Sequence, residues 1–211
     1  SAMRHFAEQL KTNNYPLIYW TLNDKKSSFR DALSSTLKQD SFEKIRCVLP
    51  GDVRVMNEIQ QCANEFDIEI EWLADQHFIS EKGEFKAWLA DRKQPRMEFW
   101  YRQLRKSRQI LMEDDQPLGG QWNFDKDNRK SFGKKGPSKL PSPLLFEADD
   151  ITKQVIADVE NFLPDLYGNI ESFNWPVSRE QALAALKDFI QNRLPHFGDY
   201  QDAMWTDEPW L

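Results

Sequence analysis

Apolar and polar positions along the chain follow two alternating periods. Met3, Phe6, Ala7 and Leu10 recur every three or four residues, which predicts a helix over Ala2–Leu10. Pro16–Leu22 is a continuous apolar run rich in β-forming residues, set between Asn13-Asn14 and Asn23-Asp24, and it predicts a strand. A helical pattern follows over Phe29–Leu37, then a short strand over Ile45–Leu49, closed by Pro50-Gly51. Asp52 is placed to cap a helix whose Met56, Ile59, Ala63 and Phe66 share one face. A third strand is expected over Ile68–Leu73, where Glu69 and Glu71 alternate with apolar neighbours in the manner of an edge strand. Strand–helix–strand alternation implies βαβ units and a parallel sheet, because parallel strands need crossover connections. The fold class expected here is α/β and Rossmann-like. Doubly wound sheets ordinarily begin on a strand, whereas this chain opens on a helix, so the pattern leads us to expect a missing first strand ahead of Ser1.

From Ser80 onward the pattern turns helical. Ser80 is placed to cap Glu81–Leu89, and a longer helix is predicted from Pro95 to Met112, with Met97, Tyr101, Leu104 and Leu111 as its apolar stripe. Residues 113–143 carry Gly119-Gly120, Gly133, Gly136-Pro137, Pro141 and Pro143 and read as a long loop, of a length that is usually functional or a linker. Two helices follow, over Asp150–Leu163 and Ser178–Leu194. The second opens with the capping box Ser178-x-x-Gln181 and is expected to stop at Pro195. The predicted organisation is an α/β domain over 1–112, a linker over 113–143 and the start of a helical domain over 144–211.

Composition narrows the function classes. The 211 residues include 27 aromatics and two cysteines. So much aromatic surface excludes a wholly disordered chain, and two cysteines cannot build a disulfide framework. No apolar run approaches the ~20 residues of a membrane span, and charged residues interrupt the N-terminus where a signal peptide would be apolar. A cytoplasmic protein is expected. The formal charge of −6 hides an asymmetry: residues 92–139 hold 13 Lys/Arg against six Asp/Glu, a local +7 on a remainder of −13. A basic stretch of that kind attracts polyanions even within an acidic protein, and also suits a plain solvated surface.

Standard catalytic signatures are absent. There is no G-x-G-x-x-G, P-loop, H-E-x-x-H or G-x-S-x-G. Cys47 and Cys62 lack metal-ligand spacing and read as buried thiols, so no metal site is expected. His5 and His196 read as helix-surface and post-helix residues. His77 follows the last predicted strand, at the end of the sheet where open α/β folds bind ligands, and is the ligand candidate. The most informative stretch is Gly119-Gly120-Gln121-Trp122-Asn123-Phe124-Asp125, with Asn128 shortly after. Buried rings and Asx turns there would anchor a loop, either one with no ligand or one that presents Arg129, Lys130, Lys134 and Lys135 to phosphates, with Arg105 a weaker candidate.

Several segments resemble the deoxyribodipyrimidine photolyase-related proteins, the bacterial iron–sulfur branch of the photolyase/cryptochrome superfamily. They are Arg96-Met-Glu-Phe-Trp-Tyr-Arg102, Ile110-Leu-Met112, Gly119–Asp125 with Asn128-Arg-Lys130, and Phe197-Gly-Asp-Tyr-Gln-Asp-Ala-Met204. Ala2-Met-Arg-His-Phe-Ala7 and Asp75-Gln-His-Phe78 are similar to that family as well. The resemblance implies an antenna α/β domain, an interdomain loop and the first helices of an all-α flavin-binding domain. It also implies FAD, a [4Fe–4S] cluster and a lumazine-type antenna chromophore in the full-length protein, acting by light on ultraviolet lesions in DNA. The cluster cysteines and most of the flavin pocket would follow Leu211, so the chain reads as a truncation. It is expected to hold none of these cofactors fully, to depend on the rest of its polypeptide as well as on DNA, and to be inactive alone although its parent would be a carbon–carbon lyase. A photosensory, non-repairing relative and a chromophore-free nucleic-acid-binding module are the alternatives. Trp88, Trp100 and Trp205 are expected mainly to pack in cores.

Overall fold

The computed structural model describes residues 1–90, 92–137 and 141–205. They form two compact units, and the chain visits one of them twice: Asn23–Asn123 make a sheet-bearing unit, while Ser1–Leu22 and the chain from Phe124 onward make a helical unit. Among the described residues no helix is long and apolar enough to cross a membrane.

The sheet-bearing unit is built on one βαβ element. Strand β1 (Lys44–Val48) pairs in parallel with β2 (Glu69–Leu73), in the register Lys44 to Glu69 through Val48 to Leu73, and the crossover between them is a helix over Val53–Glu65. Asp52 caps that helix by accepting from the Arg54 N–H at 2.8 Å. Its Ile59, Cys62 and Ala63 are buried, packing against a second helix over Phe29–Leu37 whose Leu37 is buried and whose Ser28 hydroxyl accepts from the Asp31 N–H at 3.1 Å. On the sheet's solvent side Lys44 and Arg46 face Glu69 and Glu71, with Arg46 Nε 3.0 Å from Glu71. A two-stranded sheet has no interior strand, so the charged alternation expected of an edge strand applies to both. The α/β pattern is confirmed as mixed helix and a small parallel sheet.

Two further helices complete this unit. One spans Glu84–Leu89, capped by Gly83 in the left-handed region at φ 95° and not by Ser80. The other spans Met97–Arg108 and stops four residues short of the predicted Met112. Gln109 turns left-handed there (φ 53°), and Met112–Glu113 instead pairs antiparallel with Gln116–Pro117 in a short hairpin that the loop reading missed. Phe85, Trp88 and Trp100 meet one another with ring centroids 5.3 to 5.7 Å apart, an aromatic core in which Trp100 is buried.

In the helical unit a helix over Ala2–Thr12 is tied to one over Asp150–Phe162. Ser1 Oγ lies 2.9 Å from Thr152 Oγ1, Arg4 pairs with Asp158, and His5 Nε2 lies 2.6 Å from Asp149 Oδ2. His5, on the first helix, is therefore an inter-helix tie. The Pro16–Leu22 run is not a strand: residues 16–21 are irregular and a 3-10 turn covers Leu22–Asp24. An apolar run becomes a strand only where it joins a ladder with a neighbouring strand, and the sheets found among the described residues do not include it. The capping box forms as expected, with the Gln181 N–H donating to Ser178 Oγ at 3.2 Å and Gln181 Oε1 accepting from the Ser178 N–H at 3.3 Å. Its helix runs Arg179–Asp188 and passes through a π turn over Phe189–Arg193 into a further helix over Leu194–Tyr200. Pro195 does not stop the chain. It occupies the first turn of this last helix, where its missing N–H costs nothing, and His196 is helical.

Candidate functional site

The structure separates the sequence-predicted site residues into three settings. The first is a groove of about 540 Å³ at the carboxyl ends of the two parallel strands, lined by Val48, Leu73, Ala74, Gln76 and His77. Strands in a βαβ unit end where their crossover begins, so backbone and side chains splay there and leave a ligand-sized space. His77 Nδ1 lies 2.7 Å from Asp75 Oδ1, which also accepts from the His77 backbone N–H at 2.9 Å. These two bonds hold the Asp75 carboxyl below its usual range. The pairing turns one ring nitrogen of His77 to Asp75, and the side chain is 89% exposed.

The second setting is the Trp122 cage. The Arg102, Arg105 and Lys106 cations lie 5.2, 5.4 and 5.5 Å from the centre of the Trp122 ring, within the range of cation–π attraction. Gly119 and Gly120 both have positive φ (79° and 74°) and let the chain leave the short hairpin toward Trp122 at no side-chain cost. Arg105 corrects the expectation made of it. It is buried, and its guanidinium donates to the carbonyl of Ile110 at 3.1 Å and to that of Leu111. Leu111 itself sits at φ 50°, an unfavourable value for a bulky residue, so Arg105 holds a strained turn. Arg102 is committed to Glu98 at 2.7 Å and Arg108 to Glu84 at 2.9 Å.

The third setting is the basic loop in the helical unit. Phe124 is half exposed, and the Asp127 N–H donating to its carbonyl at 2.8 Å closes a turn. Anchoring thus comes from this backbone turn and not from Asx turns; the Asn128 Oδ1 is buried without a partner, and Asn123 and Asp125 are exposed. The loop then runs along the last helix. The Lys130 N–H donates to the Asp199 carbonyl at 3.0 Å, and the Lys130 ammonium donates to the Asp199 carboxylate at 2.7 Å, which raises the Lys130 pKa. Arg129, Lys134 and Lys135 are exposed and have no ion-pair partner among the described residues. The link to Asp199 was invisible in sequence, since 69 residues separate the pair.

Neither cysteine is poised for chemistry. Burial pushes both thiols up in pKa, Cys62 being fully buried, and no group of three or more potential metal-ligating side chains converges among the described residues. A four-thiolate iron–sulfur cluster does not fit this donor set.

Comparison with known proteins decides the lineage of this arrangement. A family model described as deoxyribodipyrimidine photo-lyase-related protein matches residues 1–175. The chain belongs to this photolyase-related family. A curated relative, a (6-4) photolyase of Agrobacterium fabrum, is 39% identical over 214 aligned positions; the alignment takes in all of this chain and 42% of the relative. The chain therefore spans less than half the length of that photolyase. Within the photolyase-related frame, the Trp122 cage and the basic loop hold seven of the chain's 28 Lys and Arg.

Proposed function

We propose that this chain supplies the antenna-side groove and a DNA-backbone contact to a photolyase-type flavoprotein that repairs (6-4) lesions by light. The observation that carries this reading is the 39% identity to a (6-4) photolyase along the whole chain. The residues support it in two places. Arg129, Lys130, Lys134 and Lys135 form a solvent-facing basic loop of the kind that meets phosphates without reading bases. The strand-end groove with His77 offers apolar walls and one polar edge, which suits a planar antenna chromophore of lumazine type. FAD supplies the electron for repair when bound. We assign its site, and that of a [4Fe–4S] cluster, to other parts of the polypeptide.

The test is repair of a duplex carrying a defined (6-4) lesion under blue light by the full-length protein, with its absorption spectrum recorded alongside. Flavin bands with lesion reversal are expected. Flavin bands without reversal would turn the reading toward a photosensory relative, and a protein with no chromophore bands would leave only a nucleic-acid-binding module.

A further inference from the structure

Four contacts hold the basic loop against one short segment, Asp199–Trp205. Two are the backbone bond and the ion pair between Lys130 and Asp199. In the third, Phe132 stacks on Tyr200 with centroids 4.8 Å apart and planes 18° from parallel. The fourth closes the loop's far end, where the Trp205 indole lies over Gly136. A Cβ there would stand 2.7 to 2.9 Å from Cε2, Cζ2 and Nε1 of the indole, and Gly136 has φ 72°. Both the space and the backbone at position 136 thus require glycine. These contacts touch residues 130, 132 and 136 and leave Arg129, Lys134 and Lys135 between and beside them facing solvent.

We propose that Asp199, Tyr200 and Trp205 form a clamp that sets the basic loop in its phosphate-contacting shape, and that Lys130 is a tether within this clamp and not itself a phosphate contact. The inference rests on the DNA-backbone reading above and assigns separate roles within the loop. Lysine and arginine side chains lose rotamer freedom when they meet a phosphate, and a flexible loop would lose backbone freedom as well. A loop already fixed at three points loses less on binding, so its three free cations act together.

Asp199 gives the sharpest test, because simple electrostatics and the clamp predict opposite signs. Removing an acidic charge beside a DNA-binding loop should tighten binding if Lys130 is merely released to a phosphate. The clamp predicts that Asp199→Asn weakens binding of the full-length protein to a short fluorescent duplex by about tenfold, as does Trp205→Ala. Trp205→Phe keeps a ring over Gly136 and is expected to restore most of the loss, while Gly136→Ala reproduces it. Because these variants leave Arg129, Lys134 and Lys135 in place, the salt dependence of binding should keep its slope. Tryptic cleavage after Lys134 and Lys135, followed without DNA, should accelerate by about tenfold in Asp199→Asn and Trp205→Ala, reporting the opened loop directly. Tighter binding by Asp199→Asn, or unchanged cleavage in Trp205→Ala, overturns the clamp. Faster cleavage with unchanged duplex affinity also overturns its positioning role. A wild-type protein that binds no duplex at any salt concentration removes the DNA reading itself, an outcome distinct from variants that match a wild type which does bind.

Discussion

Two basic segments of this chain have similar charge and opposite fates. The helix Met97–Arg108 carries Arg102, Arg105, Lys106 and Arg108, and the loop beyond Asp127 carries Arg129, Lys130, Lys134 and Lys135. On the helix nearly every cation is committed within its own unit: Arg102 to Glu98, Arg108 to Glu84, Arg105 to two carbonyls, and three of the four to the Trp122 ring or its edge. In the loop Lys130 is committed, and Arg129, Lys134 and Lys135 face water. Positive charge in a sequence therefore marks a binding surface only after its internal partners are subtracted. A guanidinium satisfied by buried acceptors is a structural part, because drawing it out would leave those acceptors unpaired.

The largest effect that would sharpen this contrast is loss of Arg105. Arg105→Met keeps the aliphatic stem but leaves the Ile110 and Leu111 carbonyls unpaired beside a strained turn, and should destabilise the chain by about 2–4 kcal/mol. Arg105→Lys should recover little, since an ammonium cannot span two carbonyls as the planar fork does. Urea unfolding followed by circular dichroism measures this. A loss of DNA affinity by Arg105→Met without a loss of stability would return Arg105 to the DNA-facing class.

Next in size is the loop. Replacing Arg129, Lys134 and Lys135 together with glutamine should lower the slope of log affinity against log salt by roughly 2 to 3, as expected for three released phosphate contacts on duplex DNA. Stability should stay within about 0.5 kcal/mol, because exposed side chains without partners contribute little to it. An unchanged slope would erase the distinction between the two segments from the loop side.

A smaller effect tests committed charge in the helical unit through pH. Burial alone would lower the pKa of His5, but its bonds to Asp149 and to the Ser1 carbonyl outweigh this and raise it. Asp149 is held at about 2, chiefly by His5 and also by its cap on Thr152. The stabilisation from His5 is complete below its ordinary value of 6.5 and is lost as pH rises through its elevated folded value. That from Asp149 is complete above 3.8 and is lost as pH falls toward about 2. The tie between the first helix and Asp150–Phe162 should therefore be strongest between these limits, by about 1 kcal/mol given the exposure of Asp149. Melting temperature against pH should show this shoulder in the native chain, and His5→Gln should flatten its alkaline side.

Legibility followed the range of the interactions. Asp52 and the Ser178–Gln181 box mark their helices through bonds two or three residues away, and both are where the pattern puts them. The two parallel strands were legible because each is short, alternating and bounded by turn residues. Pro16–Leu22 misled because its apolar run says nothing about whether another strand lies alongside, and Tyr15, Ile18 and Leu22 remain 61%, 50% and 44% exposed. The basic loop was visible from charge, and the groove from the position of His77 after its strand. The role of Arg105 was not, since it depends on a hairpin that turns Ile110 and Leu111 back toward their own helix. Nor was the clamp, whose partners lie about seventy residues apart.

The smallest expected effect is the most discriminating for the comparison. Arg102→Gln with Lys106→Gln removes two charges from the basic helix, one fewer than the triple loop variant removes from the loop. If net local charge governed attraction to DNA, the salt slope should fall by nearly 2. If internal partners have already claimed these cations, the slope should change by less than about 0.5, because a contact never made releases no counterions. Stability should drop by roughly 1 kcal/mol or less, from the loss of the exposed pair with Glu98 and the cation–π contacts to Trp122. Tryptophan emission should shift as the Trp122 ring loses its charged neighbours, which shows that the substitution reached the cage even where DNA binding does not respond. A slope that falls by nearly 2 would mean that these cations leave Trp122 and Glu98 for phosphates when DNA arrives.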